Sequence, residues 1–497
     1  MLFASMTFLW IFLPVVIIVN AVLSMVKFEN RENRILAKNI WLLIASLVFY
    51  AWGGIYYLLI MISSIAVNYV GGRIIGRIGA YDTLRRNRCL ILVLVLDLGI
   101  LFAFKYFNMV VMLLENLIAA IMGERGSFMN MLLMEGTGSL GIKEIVLPIG
   151  ISFFTFQAMS YVIDVYTGKV KVQKSILQFA LYVSFFPQLI AGPIVKYSDV
   201  AEQIEDRKET TGLFYSGQRR FCFGLAKKVL LANTFAVTAD AVFGLEPSKM
   251  GSSVAWLGAL AYTMQIYYDF SGYSDMAIGL GRMFGFRFKE NFNYPYTAVS
   301  IQEFWRRWHI SLSSWFKEYV YFPLGGSRCS KGRTCLNILI VFLLTGVWHG
   351  ANFTFIVWGL FYALLQIIER LFLKKLLDSN PVKPINWLYT MLMVVIGWVL
   401  FRSDNIIYAG QFLKAMFVPT TGIHSVLEFM SMKLLIAFVA ALVVMGFISR
   451  ASAEVYKKIR TNEGVMLVDT AFTAVLLIAS IISIVSGTYN PFIYFQF

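Results

Sequence analysis

The sequence predicts an all-α polytopic membrane protein, with about ten to eleven transmembrane helices and several re-entrant or interfacial helices between them. Three observations carry this expectation. Of 497 residues, 59% are hydrophobic and only 14% charged, and mean hydropathy is +0.70, where a soluble domain would be about 25% charged. Apolar runs of about 20 residues, the length that crosses a hydrocarbon core, recur along the whole chain. Lys and Arg gather in a few short loops, as they do on the cytoplasmic side of membrane proteins.

The first span is expected at 5–26. It has no basic flank before it, and its apolar run is too long for a signal peptide, so it reads as retained. Stretch 40–72 reads as two helices broken at Trp52-Gly53-Gly54, and 89–122 as one long helix or two broken near Lys105. Further candidates lie at 146–167, 176–194, 214–243, 252–284, 334–349, 351–373, 386–402, 430–449 and 466–488. Two of these, 176–194 and 214–243, contain Pro or several charges. They are expected to be re-entrant or interfacial, which is tolerated where protein or a water cavity covers the backbone. The polar stretch 196–212 reads as a loop. With no internal repeat and no low-complexity segment, residues 1–497 are expected to form a single membrane domain.

The net charge of +15 fits basic cytoplasmic loops, and no soluble basic domain is present to hold a nucleic acid. Loop 73–88 holds five Arg, and 326–333, 370–383 and 450–460 are also basic; all four read as cytoplasmic. Segments 123–145 and 403–429 are nearly charge-balanced and read as external. Counting spans from these loops places both termini outside, including the last seven residues, PFIYFQF. Cys89, Cys222, Cys329 and Cys335 form no CxxC and have no His at ligand spacing, so neither a disulfide framework nor a metal is expected.

Three histidines remain to be placed. His424 falls in an external polar loop and receives no role. His309 lies in SIQEFWRRWHISLSSWFKEYVYFPLGG. Ser300 and Glu303 have capping-box spacing. Phe304, Trp308, Leu312, Trp315 and Tyr319 make an apolar stripe at helical spacing, opposite Arg306, Arg307, Ser314 and Lys317. This predicts an amphipathic helix at the cytoplasmic interface. Either His309 is incidental on a membrane-surface helix, or the helix lines a pocket with Arg306 or Arg307 near an anionic ligand. His349 lies in LNILIVFLLTGVWHGANFTFIVWGL. An ionisable side chain inside such a run is costly and marks a functional site; a neutral buried imidazole suits a general base. Gly346 and Gly350, four apart, either admit a close ligand or backbone or simply pack helices. In MQIYYDFSGYSDMAIGLG, Asp269 and Asp275 with Tyr268 form either a polar network between broken helices or a transport relay. No nucleophile elbow, phosphate loop, zinc-protease motif or dinucleotide fingerprint is present.

FWRRWHISLSSWFKEYVYFPLGGSR, followed by TGVWHG forty residues after the first His, resembles the membrane-bound O-acyltransferase (MBOAT) family. FFTFQAMSYVIDVYTG, FFPQLIAGPI, YYDFSGYSDMAIG and PFIYFQF resemble its alginate O-acetyltransferase-like bacterial branch. The resemblance implies helices around a central funnel, His349 as catalytic base and His309 as the second catalytic position. Arg306, Arg307, Trp308, Tyr268, Asp269 and Asp275 are candidates around the substrate. It also implies acetyl-CoA as cytoplasmic donor with no bound cofactor, an extracellular polysaccharide as acceptor, and an extracytoplasmic SGNH-hydrolase-like partner. His309 or the two arginines would polarise the thioester carbonyl or hold donor phosphates. FIYFQF resembles an aromatic terminal motif of wall-polymer D-alanylation partners, which makes Tyr494 either an acyl carrier or an aromatic anchor. A D-alanyl or lysophospholipid acyltransferase, and a proton-coupled transporter built on Asp269 and Asp275, are the alternatives.

Overall fold

The computed structural model describes all residues except 80, 124–125, 143–144, 191, 380–382, 420–421, 447–462, 488, 490 and 492–497. Among the described residues, nine helices are long and apolar enough to cross a membrane: Phe8–Met25, Arg31–Ala51, Ile55–Arg77, Thr83–Lys105, Thr211–Phe243, Lys331–His349, Phe353–Asp378, Lys383–Arg402 and Gly464–Ser486. Three shorter apolar helices, Phe107–Ile121, Ile406–Phe417 and Met432–Val444, accompany them. The chain is an all-α multi-pass membrane protein.

The break at Gly53-Gly54 stands where sequence puts it, because Gly54 adopts φ +142°, open to glycine alone at little cost. Stretch 89–122 is two helices, interrupted at Tyr106. Segment 176–194 forms only the short helices Ile176–Ser184 and Phe186–Leu189, since Pro187 has no N–H to extend the first helix and sits instead in the first turn of the second, after the non-helical Phe185. Segment 214–243, expected to be re-entrant or interfacial, is instead part of the 33-residue helix Thr211–Phe243. Its charges do not break it because they are paired inside the protein, and it includes a π-helical stretch at Lys227–Ala232.

Those pairs knit Thr211–Phe243 to the helix Ser252–Met283. Lys228 meets Asp269 at 2.8 Å, Lys227 meets Asp275 at 2.6 Å, and Arg220 meets Asp275 at 2.8 Å. Asp269 and Asp275 thus form a polar network, but the helix carrying them is unbroken. The two helices touch backbone to backbone. A Cβ on Gly272 would stand 2.7 Å from the Gly224 carbonyl oxygen, and one on Gly279 would stand 2.6 Å from that of Gly217.

Two apolar clusters flank the middle of the molecule. One gathers Phe8, Phe49, Phe154, Leu312, Trp315 and Trp348. The other gathers Tyr267, Trp308, Phe355, Trp358, Trp398 and Phe401. His309 and His349 each sit where the chain passes from one cluster to the other, between Trp308 and Leu312 and between Trp348 and Phe355. Replacing Gly272 by Ala should destabilise the protein by about 1–3 kcal/mol through overpacking against rigid backbone. A detergent-solubilised melt followed by tryptophan fluorescence would show it as a lowered midpoint; an unchanged midpoint would mean that the helices can separate at no cost.

Candidate functional site

The expected single helix around His309 is two short helices, Ile301–Arg307 and Ile310–Phe316. The first starts as the sequence suggests. Ser300 Oγ accepts the Glu303 N–H at 3.0 Å, while the Glu303 carboxylate takes the Val299 N–H rather than that of Ser300. The helix then stops. Trp308 is extended and His309 is left-handed, at φ 41° and ψ 55°. A non-glycine residue in this region needs support from its surroundings, and the loop at 291–293 supplies it. The Asn293 N–H donates to the Arg307 carbonyl and the Ile310 N–H to the Asn291 carbonyl, both at 2.9 Å. The helical stripe fails as a membrane-facing surface for the same reason: Phe304, Trp308, Leu312 and Trp315 are all buried in protein.

The Asn291 side chain completes the arrangement. Its Oδ1 accepts from the Ser311 backbone N–H at 3.2 Å and from Ser311 Oγ at 2.9 Å. A backbone N–H only donates, so this oxygen is fixed as an acceptor. It also lies 3.2 Å from His309 Nδ1. Neutral His309 therefore carries its proton on Nδ1 and presents a lone pair on Nε2. Phe270 stands edge-on to the ring at 4.6 Å between centroids, and Trp348 lies at 6.1 Å.

His349 is the last residue of Lys331–His349. Its ring sits in an aromatic box, with centroids of Trp348, Trp358 and Phe401 each 5.0 Å away. It makes no hydrogen bond to a described residue, and it lines a cavity of about 1310 Å³. Gly346 and Gly350 serve packing: a Cβ would stand 2.3 Å from the Phe355 carbonyl oxygen and 2.3 Å from the Phe355 ring, respectively.

Around His349 the cavity wall carries residues that sequence reading passed over. Lys105 donates to the Trp348 carbonyl and reaches Ser152 Oγ at 3.3 Å, while Tyr106 donates to the Val347 carbonyl. Thus two carbonyls in the last turn of the His349 helix are capped by the break between Thr83–Lys105 and Phe107–Ile121. Arg402 also lines the cavity and pairs with Asp240 at 2.8 Å. A Lys closing an apolar run was the signal for Lys105; nothing local marks Asn291 or Arg402.

Among the described residues, His309 and the remaining predicted residues line no part of this cavity. Arg306 is exposed, and Arg307 is held by Glu303 at 2.6 Å. Trp308 is packed among Tyr267, Tyr296, Phe304 and Trp398. The Tyr268 hydroxyl donates to the Ala441 carbonyl, and Asp269 and Asp275 sit in the ion pairs already described. His424 pairs with Glu428 at 2.9 Å. Tyr494 lies outside the described residues.

Residues 169–409 match the family model described as MBOAT, membrane-bound O-acyltransferase family. The chain is 45% identical to a probable alginate O-acetylase of Pseudomonas aeruginosa, over 84% of this chain and 75% of that protein. It is 35% identical to a peptidoglycan O-acetyltransferase of Helicobacter pylori, over 84% of this chain and 80% of the other. It is 30% identical to a teichoic acid D-alanyltransferase of Bacillus subtilis, over 53% and 69% of the two chains.

Burial pushes the pKa of His309, which lies outside the nine spans, from 6.5 down to about 3. The unfolded chain therefore takes up this proton first. The stabilising contribution is complete above about pH 6.5 and declines as pH falls toward about 3. Melts at a series of pH values below 7 should show this loss, and His309→Gln should reduce the slope. A slope unaltered in that variant would assign the acid sensitivity to other groups.

Proposed function

Because the chain belongs to the membrane-bound O-acyltransferase family, we propose that this membrane acyltransferase moves an acetyl group from cytoplasmic acetyl-CoA, past His349, to an extracellular polysaccharide. The observation that carries this reading is the polarity of three helices. Thr83–Lys105, Lys331–His349 and Lys383–Arg402 each begin beside a basic cluster, at 73–88, 326–333 and 370–383. Each ends at the cavity. Basic clusters favour the cytoplasm, so this pattern supports a cavity that opens on the outer side of the cell membrane, with His349 in its wall. The pair of short helices flanking His309 leads into the basic loop 326–333 and so supports a donor path from the inside.

The reaction asks little of the protein beyond position and proton handling. The acceptor oxygen bonds to the thioester carbon as its proton passes to a ring nitrogen of His349. The carbonyl electron pair moves onto oxygen. When the carbonyl re-forms, the C–S bond breaks and His349 returns the proton to the departing thiolate. His309, with Nδ1–H directed at Asn291, accepts on Nε2. An acceptor there leaves carbonyl polarisation to another group.

Tyr494 is proposed as the intermediate acceptor that hands the acetyl group to an SGNH-hydrolase-like partner outside. Support comes from the approach to the tail. The Tyr489 hydroxyl donates to Asp240, the carboxylate paired with the cavity residue Arg402, and Lys228 donates to the Pro491 carbonyl. The polymer-modifying relatives support a polysaccharide acceptor without choosing its identity. A D-alanyl thioester is the competing donor, favoured by the teichoic acid relative.

Purified protein incubated with acetyl-labelled acetyl-CoA tests these statements together. Wild type should release CoA and retain label on the C-terminal peptide. His349→Ala should abolish both at unchanged membrane yield, and Tyr494→Phe should abolish the label while leaving the fold intact. Turnover surviving in His349→Ala would remove it as the base. Label elsewhere than Tyr494 would return the tail to an anchoring role.

A further inference from the structure

We infer that Lys105 is a catalytic residue of this site, the cation that stabilises the oxyanion formed when the acyl carbonyl is attacked beside His349. The inference rests on the proposed acyl transfer and adds the group that transfer still lacks.

The argument starts from charge. Cations inside this protein are matched by carboxylates: Lys38 by Glu209, Lys196 by Glu318, Lys228 by Asp269, and Arg402 by Asp240. Lys105 is not. Its Nζ meets the Trp348 carbonyl and the Ser152 hydroxyl, and stands 5.6 Å from the Trp348 ring centroid. No carboxylate of a described residue lies in ion-pair range of it. Among the described residues, two carboxylates line the same cavity, and both are engaged elsewhere. Glu115 accepts the backbone N–H groups of Gly138 and Leu140, and Asp404 lies 3.6 Å from Arg402. A cation left with only neutral partners in a confined cavity favours whatever negative charge arrives there.

Geometry puts that preference where the reaction develops charge. The carbonyl that Lys105 holds belongs to the residue directly before His349, and both side chains line one cavity. An ammonium carries three protons. Two are directed at Trp348 and Ser152, and one remains to point into the cavity. In the attack step, the acceptor O–C bond forms, the acceptor proton goes to His349, and the carbonyl pair becomes an alkoxide. The third Nζ–H is placed to meet that alkoxide, and it withdraws as the C–S bond breaks and the carbonyl returns. His309 does not fill this place, since it is buried and lines no part of the cavity.

A structural cap would use the same lysine, so the test must separate the two roles. Lys105→Met keeps the stem and removes the charge; Lys105→Arg keeps a charge. Steady-state CoA release from acetyl-CoA, measured on wild type and both variants, should show kcat reduced about 10²–10³-fold in Lys105→Met, the range for losing one oxyanion donor. The KM for acetyl-CoA should stay within about threefold, and Lys105→Arg should recover part of kcat. Melting midpoints within experimental scatter would exclude loss of fold as the cause. A kcat near wild type in Lys105→Met overturns the assignment. So does a raised KM at unchanged kcat, which would make Lys105 a ground-state binder, or a kcat loss that Lys105→Arg does not relieve. If wild type itself releases no CoA, the donor proposed above fails and the assignment falls with it.

Discussion

A helix that ends inside a membrane protein leaves its last carbonyls without partners, and hydrocarbon offers none. Lys331–His349 ends this way, and the rest of the site depends on how its end is closed. Gly350 is extended and cannot continue the hydrogen-bond ladder. The closure comes instead from a second interrupted helix: Lys105 and Tyr106, at the gap before Phe107–Ile121, donate to the carbonyls of Trp348 and Val347. One break repairs another. The repair also brings a cation and an imidazole to the same cavity wall, while the imidazole nitrogens have no hydrogen-bond partner among the described residues.

His309 is positioned by the opposite device. Its helix is broken by backbone strain, with a left-handed residue held by Asn291 and Asn293. Here the imidazole is not left open but tied at Nδ1, which fixes its tautomer. The two histidines therefore differ in what they can do. One is free to take and return a proton at the cavity surface; the other is a fixed acceptor in the wall between the apolar clusters. Trp348 lies between them, with its ring near both, so the two histidines are separated by aromatic surface rather than by a chain of charges.

How much of this was legible in the sequence follows from what each feature rests on. Apolar runs, Gly53-Gly54 and the loop charges are local properties, and the spans they predict are largely present. The place of His349 at a cavity was signalled by an ionisable residue in such a run. Thr211–Phe243 was misjudged because its charges look costly until Asp269 and Asp275, on another helix, are placed opposite them. The stripe through Trp308 was misjudged because periodicity continues across His309 while the backbone does not. That turn is imposed by Asn291, which no local signal connects to it. Arg306 and Arg307, attractive as anion binders by charge alone, face away or are already paired.

The placement of charge then ties topology to mechanism. Three helices start at arginine- and lysine-rich loops and finish at the cavity, and the cations at their far ends have different fates. Arg402 is neutralised by Asp240, whose second oxygen receives Tyr489 from the approach to the C-terminus. Among the described residues, Lys105 has no such partner. If the only task at this depth were to close helix ends, a neutral donor would do it without the desolvation cost of a charge; Tyr106 does so one residue away. Keeping an ammonium where a hydroxyl would suffice makes sense when negative charge appears there transiently. The acyl transfer proposed beside His349 is a reaction in which it does.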